Sequence, residues 1–228
     1  MNAASDGPSV FSCYGSDGMT ISFSSEQRKA PRPDAPIVFA FHNPAPGDPI
    51  GALIATALPD ARVFSFNRCA ANADAAPPPP IGDALGDMDA FAAAIEDLAK
   101  DVGEVRRLYP DSAAYGIGYS SGATVLAGLL VKHPDLFDRA ALLHPLVSWV
   151  PSGNAELEGK PILVAGSQND PSRPLALTER LVDYLAGQKA DVRALYNRGR
   201  HEVGREEMMA LRELLQHPAG RSDADRID

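Results

Sequence analysis

The sequence predicts an α/β fold in which a mostly parallel central sheet carries helices on both faces. Three observations support this fold: short unbroken apolar runs, longer segments with helical periodicity, and the alternation of the two over about 180 residues. The chain has 228 residues, of which 45% are hydrophobic, enough for one large core. We therefore expect a single domain over 1–218 and a disordered tail over 219–228.

The chain is predicted to begin with an antiparallel hairpin. SVFSCY and MTISFS alternate apolar and polar residues on either side of the turn signal GSDG at 15–18. The apolar runs IVFAF (37–41) and RVFSF (62–66) are typical of buried parallel strands. The segment 67–82 contains four consecutive prolines, so we expect an irregular surface loop there.

The clearest predicted helix ends before Pro110 and has an apolar stripe with steps of mostly three and four residues. The stripe consists of Leu85, Met88, Phe91, Ile95, Leu98, Val102, Val105 and Leu108. Beyond it, the predicted strands are SAAYGIGY, RAALLH, PILVAG and DVRALYN, and the predicted helices are TVLAGLLVKH, Pro174 to Gly187 and REEMMALRELLQ. The segment between RAALLH and PILVAG has only about 17 residues, so we expect no cap domain.

An excess of acidic residues excludes several classes of partner. The chain carries 30 acidic and 21 basic residues, a formal charge of −9. Nucleic acids and anionic membranes select basic surfaces, and no apolar run is long enough for membrane insertion. The N-terminus lacks a basic segment followed by an apolar block, so we expect no signal peptide and a cytoplasmic location. Two cysteines are too few for a disulfide framework or a metal cluster.

The strongest chemical signal is the motif G-Y-S-S-G at 118–122, between a predicted strand and a predicted helix. An elbow of this kind forces its central serine into a strained backbone and exposes the hydroxyl at the carboxyl edge of the sheet. We interpret Ser120 as a nucleophile. The alternative is a serine that only caps the helix.

A serine nucleophile needs a histidine base, and the chain contains five histidines. His133 and His217 precede prolines at helix ends, and His42 ends a strand, where a structural role is expected. His201 lies in a loop between a late strand and the last helix, which is where the order serine, acid, histidine places the base. His144, at the end of RAALLH, is the next candidate.

The acid that orients the base is expected between the serine and the histidine. Asp170 directly follows the strand PILVAG, and Pro171 keeps it out of a helix, so its carboxylate should stay at the sheet edge. The alternative is an ordinary loop aspartate that closes an Asx turn. The chain order with Ser120 and His201 favours the role in a triad.

These motifs resemble those of the phospholipase/carboxylesterase group of α/β-hydrolases, small lidless esterases related to acyl-protein thioesterases and dienelactone hydrolases. GYSSGA is similar to the group's G-[YF]-S-x-G-A, GSQNDPSRP to its acid loop G-x-x-D-P-x-x-P, and GRHEV to its base loop G-G-H-E. The resemblance covers about Ile37 to His217. It implies hydrolysis of esters or thioesters by Ser120, Asp170 and His201, without a metal or an organic cofactor.

The resemblance also implies where the substrate lies. LLHPLVSW resembles the group's apolar strand end beside the pocket. We expect an open pocket rimmed by the loops 43–50 and 67–82, with His144, Leu146 and Trp149 as substrate contacts.

The oxyanion of the reaction needs two backbone donors, and the Ser121 amide at the helix start is one. The group's first loop reads H-G-x-G-G-D, whereas here it is one residue longer and carries two prolines. Aligned backwards from Gly47, Ala45 falls at the group's donor position. Aligned forwards from His42, Pro44 falls there, and proline has no N–H. We expect the Ala45 and Ser121 amides to form the oxyanion hole.

The expected function is a serine hydrolase that cleaves small carboxylic esters or thioesters. Two alternatives stay open: a lactone, dienelactone or peptide hydrolase, and a catalytically weak ligand-binding protein with an incomplete oxyanion hole. Arg200 replaces a glycine of the group's base loop. We expect a solvated arginine, with contact to an anionic substrate as the alternative. The expected partner is a small-molecule ester, and a homodimer is one open option.

Overall fold

The computed structural model describes residues 12–14, 20–23, 32–42, 49–67, 88–149 and 157–216. The strands are β1 (Ser12–Tyr14), β2 (Thr20–Phe23), β3 (Ile37–Phe41), β4 (Arg62–Asn67), β5 (Ala114–Tyr119), β6 (Arg139–Leu143), β7 (Pro161–Ser167) and β8 (Asp191–Asn197). The α-helices are α1 (Pro49–Ala57), α2 (Met88–Leu108), α3 (Ser121–Lys132), α4 (Leu175–Gly187) and α5 (Arg205–Gln216). The predicted tail lies outside the described residues.

The eight strands form one sheet in the order β1-β2-β4-β3-β5-β6-β7-β8. From β4 to β8 every neighbouring pair is parallel, while β1 pairs with β2, and β2 with β4, in antiparallel register. This confirms the predicted hairpin and the mostly parallel sheet. Because the strands from β4 to β8 run in one direction, the segments that follow β5, β7 and β8 leave the sheet at the same edge.

Helices cover both faces of the sheet, as predicted. On one face α2, α3 and α4 contribute buried side chains such as Leu98, Leu126 and Leu181. On the other face α1 and α5 contribute residues such as Ile54 and Leu211. All five residues of β3 are buried, which accounts for the unbroken apolar run of its sequence.

The long helix α2 confirms the centre of the predicted apolar stripe but not its ends. Its buried side chains include Phe91, Ile95, Leu98, Val102 and Val105. Met88 and Leu108, at its two ends, are 42% and 71% exposed, and Leu85 lies outside the described residues. A helix of 21 residues is about 30 Å long, whereas a strand of six residues is about 20 Å long. The helix ends therefore extend beyond the sheet.

The helix α1 is not among the predicted elements. Its sequence PIGALIATA has almost no polar residues and contains glycine, isoleucine and threonine, so helical periodicity is hard to recognise. Pro49 in its first turn is a local signal of a helix start. Part of the segment 43–50, predicted as a pocket loop, is therefore helical, and 43–48 lies outside the described residues.

No cap domain is inserted among the described residues between β6 and β7, which comprise 144–149 and 157–160. None of the helices in the described ranges has the length and apolar character that a bilayer crossing requires.

Candidate active site

Ser120 occupies the turn between β5 and α3 in a strained conformation. Its φ of 57° and ψ of −121° confirm the strained backbone that the elbow motif predicts. The Ser120 carbonyl accepts hydrogen bonds from the amides of Ala123 and Thr124, so the residue caps the helix through its backbone. Its side chain makes no cap bond. The hydroxyl is therefore available for other partners.

The two glycines of the motif allow the elbow to form. A Cβ atom on Gly118 would lie 2.6 Å from the Cα of Ala123, at the start of α3. A Cβ atom on Gly122 would lie 1.6 Å from the carbonyl oxygen of Phe41, at the end of β3. Both glycines are needed because backbone passes at distances that exclude a side chain.

The structure brings Ser120, Asp170 and His201 into one hydrogen-bonded row. The Nε2 of His201 lies 2.8 Å from the Oγ of Ser120, and its Nδ1 lies 2.6 Å from the Oδ2 of Asp170. A carboxylate is an acceptor, so Nδ1 carries the proton and Nε2 is free to accept the serine proton. This is the arrangement that base-activated nucleophiles require.

The Asp170 carboxylate is buried, and both of its oxygens accept hydrogen bonds. Its Oδ1 accepts hydrogen bonds from the amide of Ser172 at 2.9 Å and from the Ser172 hydroxyl at 2.6 Å. Burial acts to raise the pKa of Asp170, but the bonds from Ser172 and His201 lower this pKa to about 2. Asp170 thus closes the Asx turn of the alternative interpretation with one oxygen and faces His201 with the other.

Arg173 is a site residue that the sequence does not single out. It follows Asp170 by three residues, and its Nη2 donates to the Ser120 Oγ at 3.0 Å. Burial lowers the pKa of the guanidinium, while Asp170 and Tyr119 act to raise it. The one available signal is its place in the predicted acid loop. Arg200, which the sequence does single out, is exposed.

His144, expected as a substrate contact, is fully buried behind His201. The two imidazole rings are 5.5 Å apart in an edge-on arrangement, and His144 has no exposed surface. Its Nε2 lies 3.3 Å from the carboxylate of Glu207, another buried residue. His144 therefore contacts the candidate base rather than the solvent-facing side of the site, and Glu207 is a further residue that the sequence does not reveal.

The loop that carries His201 is held by hydrogen bonds from several elements. The Tyr119 hydroxyl donates to the carbonyl of His201 at 2.5 Å, and the Ser167 hydroxyl donates to the carbonyl of Gly199. The Gly199 amide donates to the Oδ1 of Asn197 at 2.7 Å, and the Nδ2 of Asn197 donates to Glu207 on α5 at 2.7 Å. These bonds connect β5, β7 and β8 to the base loop and fix the position of the imidazole.

The other predicted site residues differ in how the structure places them. Leu146 is half-buried, and its amide donates to the Thr124 Oγ1 on α3 at 3.0 Å. Trp149 is half-buried, with its ring 4.9 Å from that of Phe91. Ser121 opens α3, where the first amides of a helix have no partner within it. Ala45 and the predicted pocket loop beyond Asn67 lie outside the described residues.

The ligand atoms of His144, Asp170 and His201 lie within 4.8 Å of one another, close enough for a metal ion. Asp170 and His201 are hydrogen-bonded to each other, and His144 is hydrogen-bonded to Glu207. Each of the three side chains therefore has a hydrogen-bond partner within the protein, and the set fits a hydrogen-bonded site.

Solved structures of similar fold include several esterases. A carboxylesterase from Bacillus cereus is 22% identical with a TM-score of 0.67, over 88% of this chain and 94% of that one. A carboxylesterase from Mesorhizobium loti is 21% identical with a TM-score of 0.63, over 91% and 99%. A phospholipase/carboxylesterase from Dyadobacter fermentans is 14% identical with a TM-score of 0.63, over 89% and 97%. These likenesses show that the chain has the α/β-hydrolase fold.

Similarity in sequence alone is more limited. No protein-family model matches the chain. A match to MhqD of Bacillus subtilis, which is named as a hydrolase, is 29% identical over 97 residues. It spans 42% of this chain and about half, 48%, of that relative.

Proposed function

We propose that this α/β-hydrolase-fold protein is a serine hydrolase that cleaves small carboxylic esters or thioesters through an acyl-enzyme on Ser120. The observation that carries the proposal is the row of hydrogen bonds from Ser120 through His201 to Asp170, at 2.8 and 2.6 Å. The strained elbow and its two glycines present the hydroxyl at the edge of the sheet, where this fold binds ligands.

The first half of the proposed reaction forms the acyl-enzyme. The Ser120 Oγ attacks the carbonyl carbon while its proton passes to the Nε2 of His201. The carbonyl oxygen becomes an oxyanion, which the Ser121 amide stabilises as one donor, with Ala45 proposed as the second. The intermediate collapses, the bond to the alcohol or thiol breaks, and the leaving group takes the proton from His201.

The second half releases the acid. Water attacks the acyl carbonyl, its proton passes to His201, and the bond to the Ser120 Oγ breaks as the serine regains a proton. Asp170 holds the imidazole with Nδ1 protonated and stabilises the imidazolium that forms in both halves. The low pKa of Asp170 keeps its carboxylate charged in this role.

The comparisons support the reaction class. Three structures of the same fold carry the name carboxylesterase, and each of the three matches covers more than 85% of this chain. A short connection between β6 and β7 fits an open site suited to small substrates. We further propose that Leu146 and Trp149 line the acyl side of the pocket.

The proposal is tested by hydrolysis of p-nitrophenyl esters from acetate upward, together with a thioester of matched chain length. Ser120→Ala should abolish turnover, and Asp170→Asn should lower kcat on the order of 10⁴-fold, because the imidazole then adopts the wrong tautomer. Thr56→Ala, which removes an exposed hydroxyl on α1, serves as the control and should keep full activity. A folded wild-type chain that hydrolyses none of these substrates would favour the ligand-binding alternative.

A further inference from the structure

Arg173 is a half-buried cation that faces the candidate nucleophile. Its Nη2 donates to the Ser120 Oγ at 3.0 Å. Its Nε is buried and has no hydrogen-bond partner. A serine hydroxyl is a neutral acceptor, so this bond leaves the charge of the guanidinium uncompensated.

The nearest carboxylate does not neutralise this charge by direct contact. Asp170 directs Oδ2 at His201 and Oδ1 at Ser172, and among the described residues Arg173 forms no ion pair. Removing a cation from water without an anionic partner is unfavourable. Burial accordingly lowers the pKa of Arg173. The side chain is thus prepared to receive an anion that none of the described residues supplies.

The geometry limits where such an anion lies. A guanidinium binds a carboxylate through two parallel N–H···O hydrogen bonds, one to each oxygen, with N···O distances of about 2.7–2.9 Å. Because Nη2 is 3.0 Å from the Ser120 Oγ, a bound carboxylate oxygen lies within about 6 Å of the nucleophile. That distance corresponds to a carboxylate separated from the reacting carbonyl by about one to three carbon atoms.

We infer that Arg173 forms an anion subsite beside Ser120 and that the substrate is a short ester or thioester with a free carboxylate near its scissile carbonyl. This inference rests on the proposed function and narrows its substrate class. Half-esters of short dicarboxylic acids have the required chemistry. When the substrate binds, its carboxylate replaces the Ser120 hydroxyl as the hydrogen-bond acceptor of the Arg173 guanidinium. The Ser120 hydroxyl keeps its hydrogen bond to His201.

The test compares two methyl esters with the same number of non-hydrogen atoms. Monomethyl succinate carries a carboxylate, and methyl levulinate carries a neutral acetyl group in its place. Wild-type protein should show a kcat/KM at least tenfold higher for monomethyl succinate, measured by methanol release. Arg173→Gln should reduce this ratio at least tenfold, mainly through KM, and Arg173→Lys should retain part of it. Arg180→Gln removes an exposed charge on α4 and should leave the ratio unchanged.

A second measurement needs no variant and covers the case in which Arg173→Gln does not fold. Succinate should inhibit the wild-type protein competitively, at concentrations at least tenfold below those at which neutral 2,5-hexanedione does so. The inference is overturned if the wild-type protein prefers neither ester, if succinate and the dione inhibit alike, or if Arg173→Gln lowers kcat equally for both esters.

Labelling with a fluorophosphonate, a probe whose reaction does not depend on a carboxylate, distinguishes failure of the anion subsite from failure of the proposed function. Labelling at Ser120 without any carboxylate preference would overturn the anion subsite alone. Absence of labelling would overturn both.

Discussion

The imidazole of His144 stands edge-on to the imidazole of His201, with ring centroids 5.5 Å apart and an angle of 69° between the planes. Its Nε2 faces the buried carboxylate of Glu207 on the far side. Glu207 also accepts hydrogen bonds from Asn197 at 2.7 Å and from the Gly204 amide at 2.8 Å, on either side of the base loop. The position of His201 therefore depends on a carboxylate in the first turn of α5.

Glu207→Gln tests this dependence. The glutamine amide would direct N–H groups at a position where N–H donors already point, so at least one buried donor loses its acceptor. We expect a loss of about 1–3 kcal/mol in the free energy of unfolding and a fall in kcat under conditions where the variant is fully folded. Urea denaturation and steady-state kinetics measure both. Glu206→Gln, at an exposed neighbour, should change neither, and equal behaviour of the two variants would refute the dependence.

Gly122→Ala tests the close approach of α3 to β3. The new Cβ would lie 1.6 Å from the carbonyl oxygen of Phe41, and no rotation of a side chain relieves a clash with backbone. We expect a loss of at least about 3 kcal/mol in stability or failure to fold.

Gly187→Ala is the matched control, because it replaces a helical glycine at which the new Cβ would meet no atom within 4 Å beyond its chain neighbours and the backbone of its own helix. It should raise stability by up to about 1 kcal/mol through helix propensity. The thermal unfolding temperatures of the two variants, compared with that of the wild type, test both expectations. A stable, active Gly122→Ala protein would contradict the described elbow.

The low pKa of Asp170 predicts a specific dependence of stability on pH. The pKa falls from 3.8 to about 2 on folding, so the carboxylate contributes about 2 kcal/mol at pH values above the unfolded pKa. That contribution is lost as the pH falls from about 4 towards 2, because over this range the carboxylate takes up a proton in the unfolded chain before it does so in the folded protein.

We expect the unfolding free energy of Asp170→Asn to vary less over this window than that of the wild type. Urea titrations at several pH values measure the difference. Asp60→Asn, at an exposed aspartate, should follow the wild-type curve. Parallel curves for wild type and Asp170→Asn would show that the native interactions of Asp170 do not favour its charged form.

The predicted oxyanion donor Ala45 can be tested by backbone chemistry. Ala45→Gly keeps the amide N–H and should retain most activity. Ala45→Pro removes it and should lower kcat on the order of a hundredfold, the typical effect of losing one oxyanion donor. Steady-state kinetics on p-nitrophenyl acetate measure both variants. Equal activities would mean that a different group is the second donor.

The sequence predicts the residues of the proposed triad because each of them follows a strand. Ser120, Asp170 and His201 come after β5, β7 and β8, and parallel strands bring their carboxyl ends to one edge. These strands can be recognised from short unbroken apolar runs that alternate with segments of helical periodicity. The meeting of these three residues at one edge is therefore encoded in local patterns that can be recognised without coordinates.

The arginines show what local patterns do not contain. Arg200 departs from the resembled base loop and attracts attention, yet it is exposed. Arg173 lies in an unremarkable place in the acid loop, yet it contacts the Ser120 hydroxyl. Burial of a charged side chain depends on the path of its loop across the sheet edge, which residue type and spacing do not specify. For the same reason, the burial of Glu207 and His144 becomes visible only in three dimensions.

The most direct test of the account is the site of covalent modification by a fluorophosphonate. The probe reacts with a serine that a neighbouring base activates, and mass spectrometry of the digested protein identifies the labelled residue. We predict one modified peptide with the label on Ser120, and no label on Ser120→Ala protein of comparable stability. Labelling of another residue, or no labelling of folded wild-type protein, would contradict the assignment of Ser120 as the nucleophile.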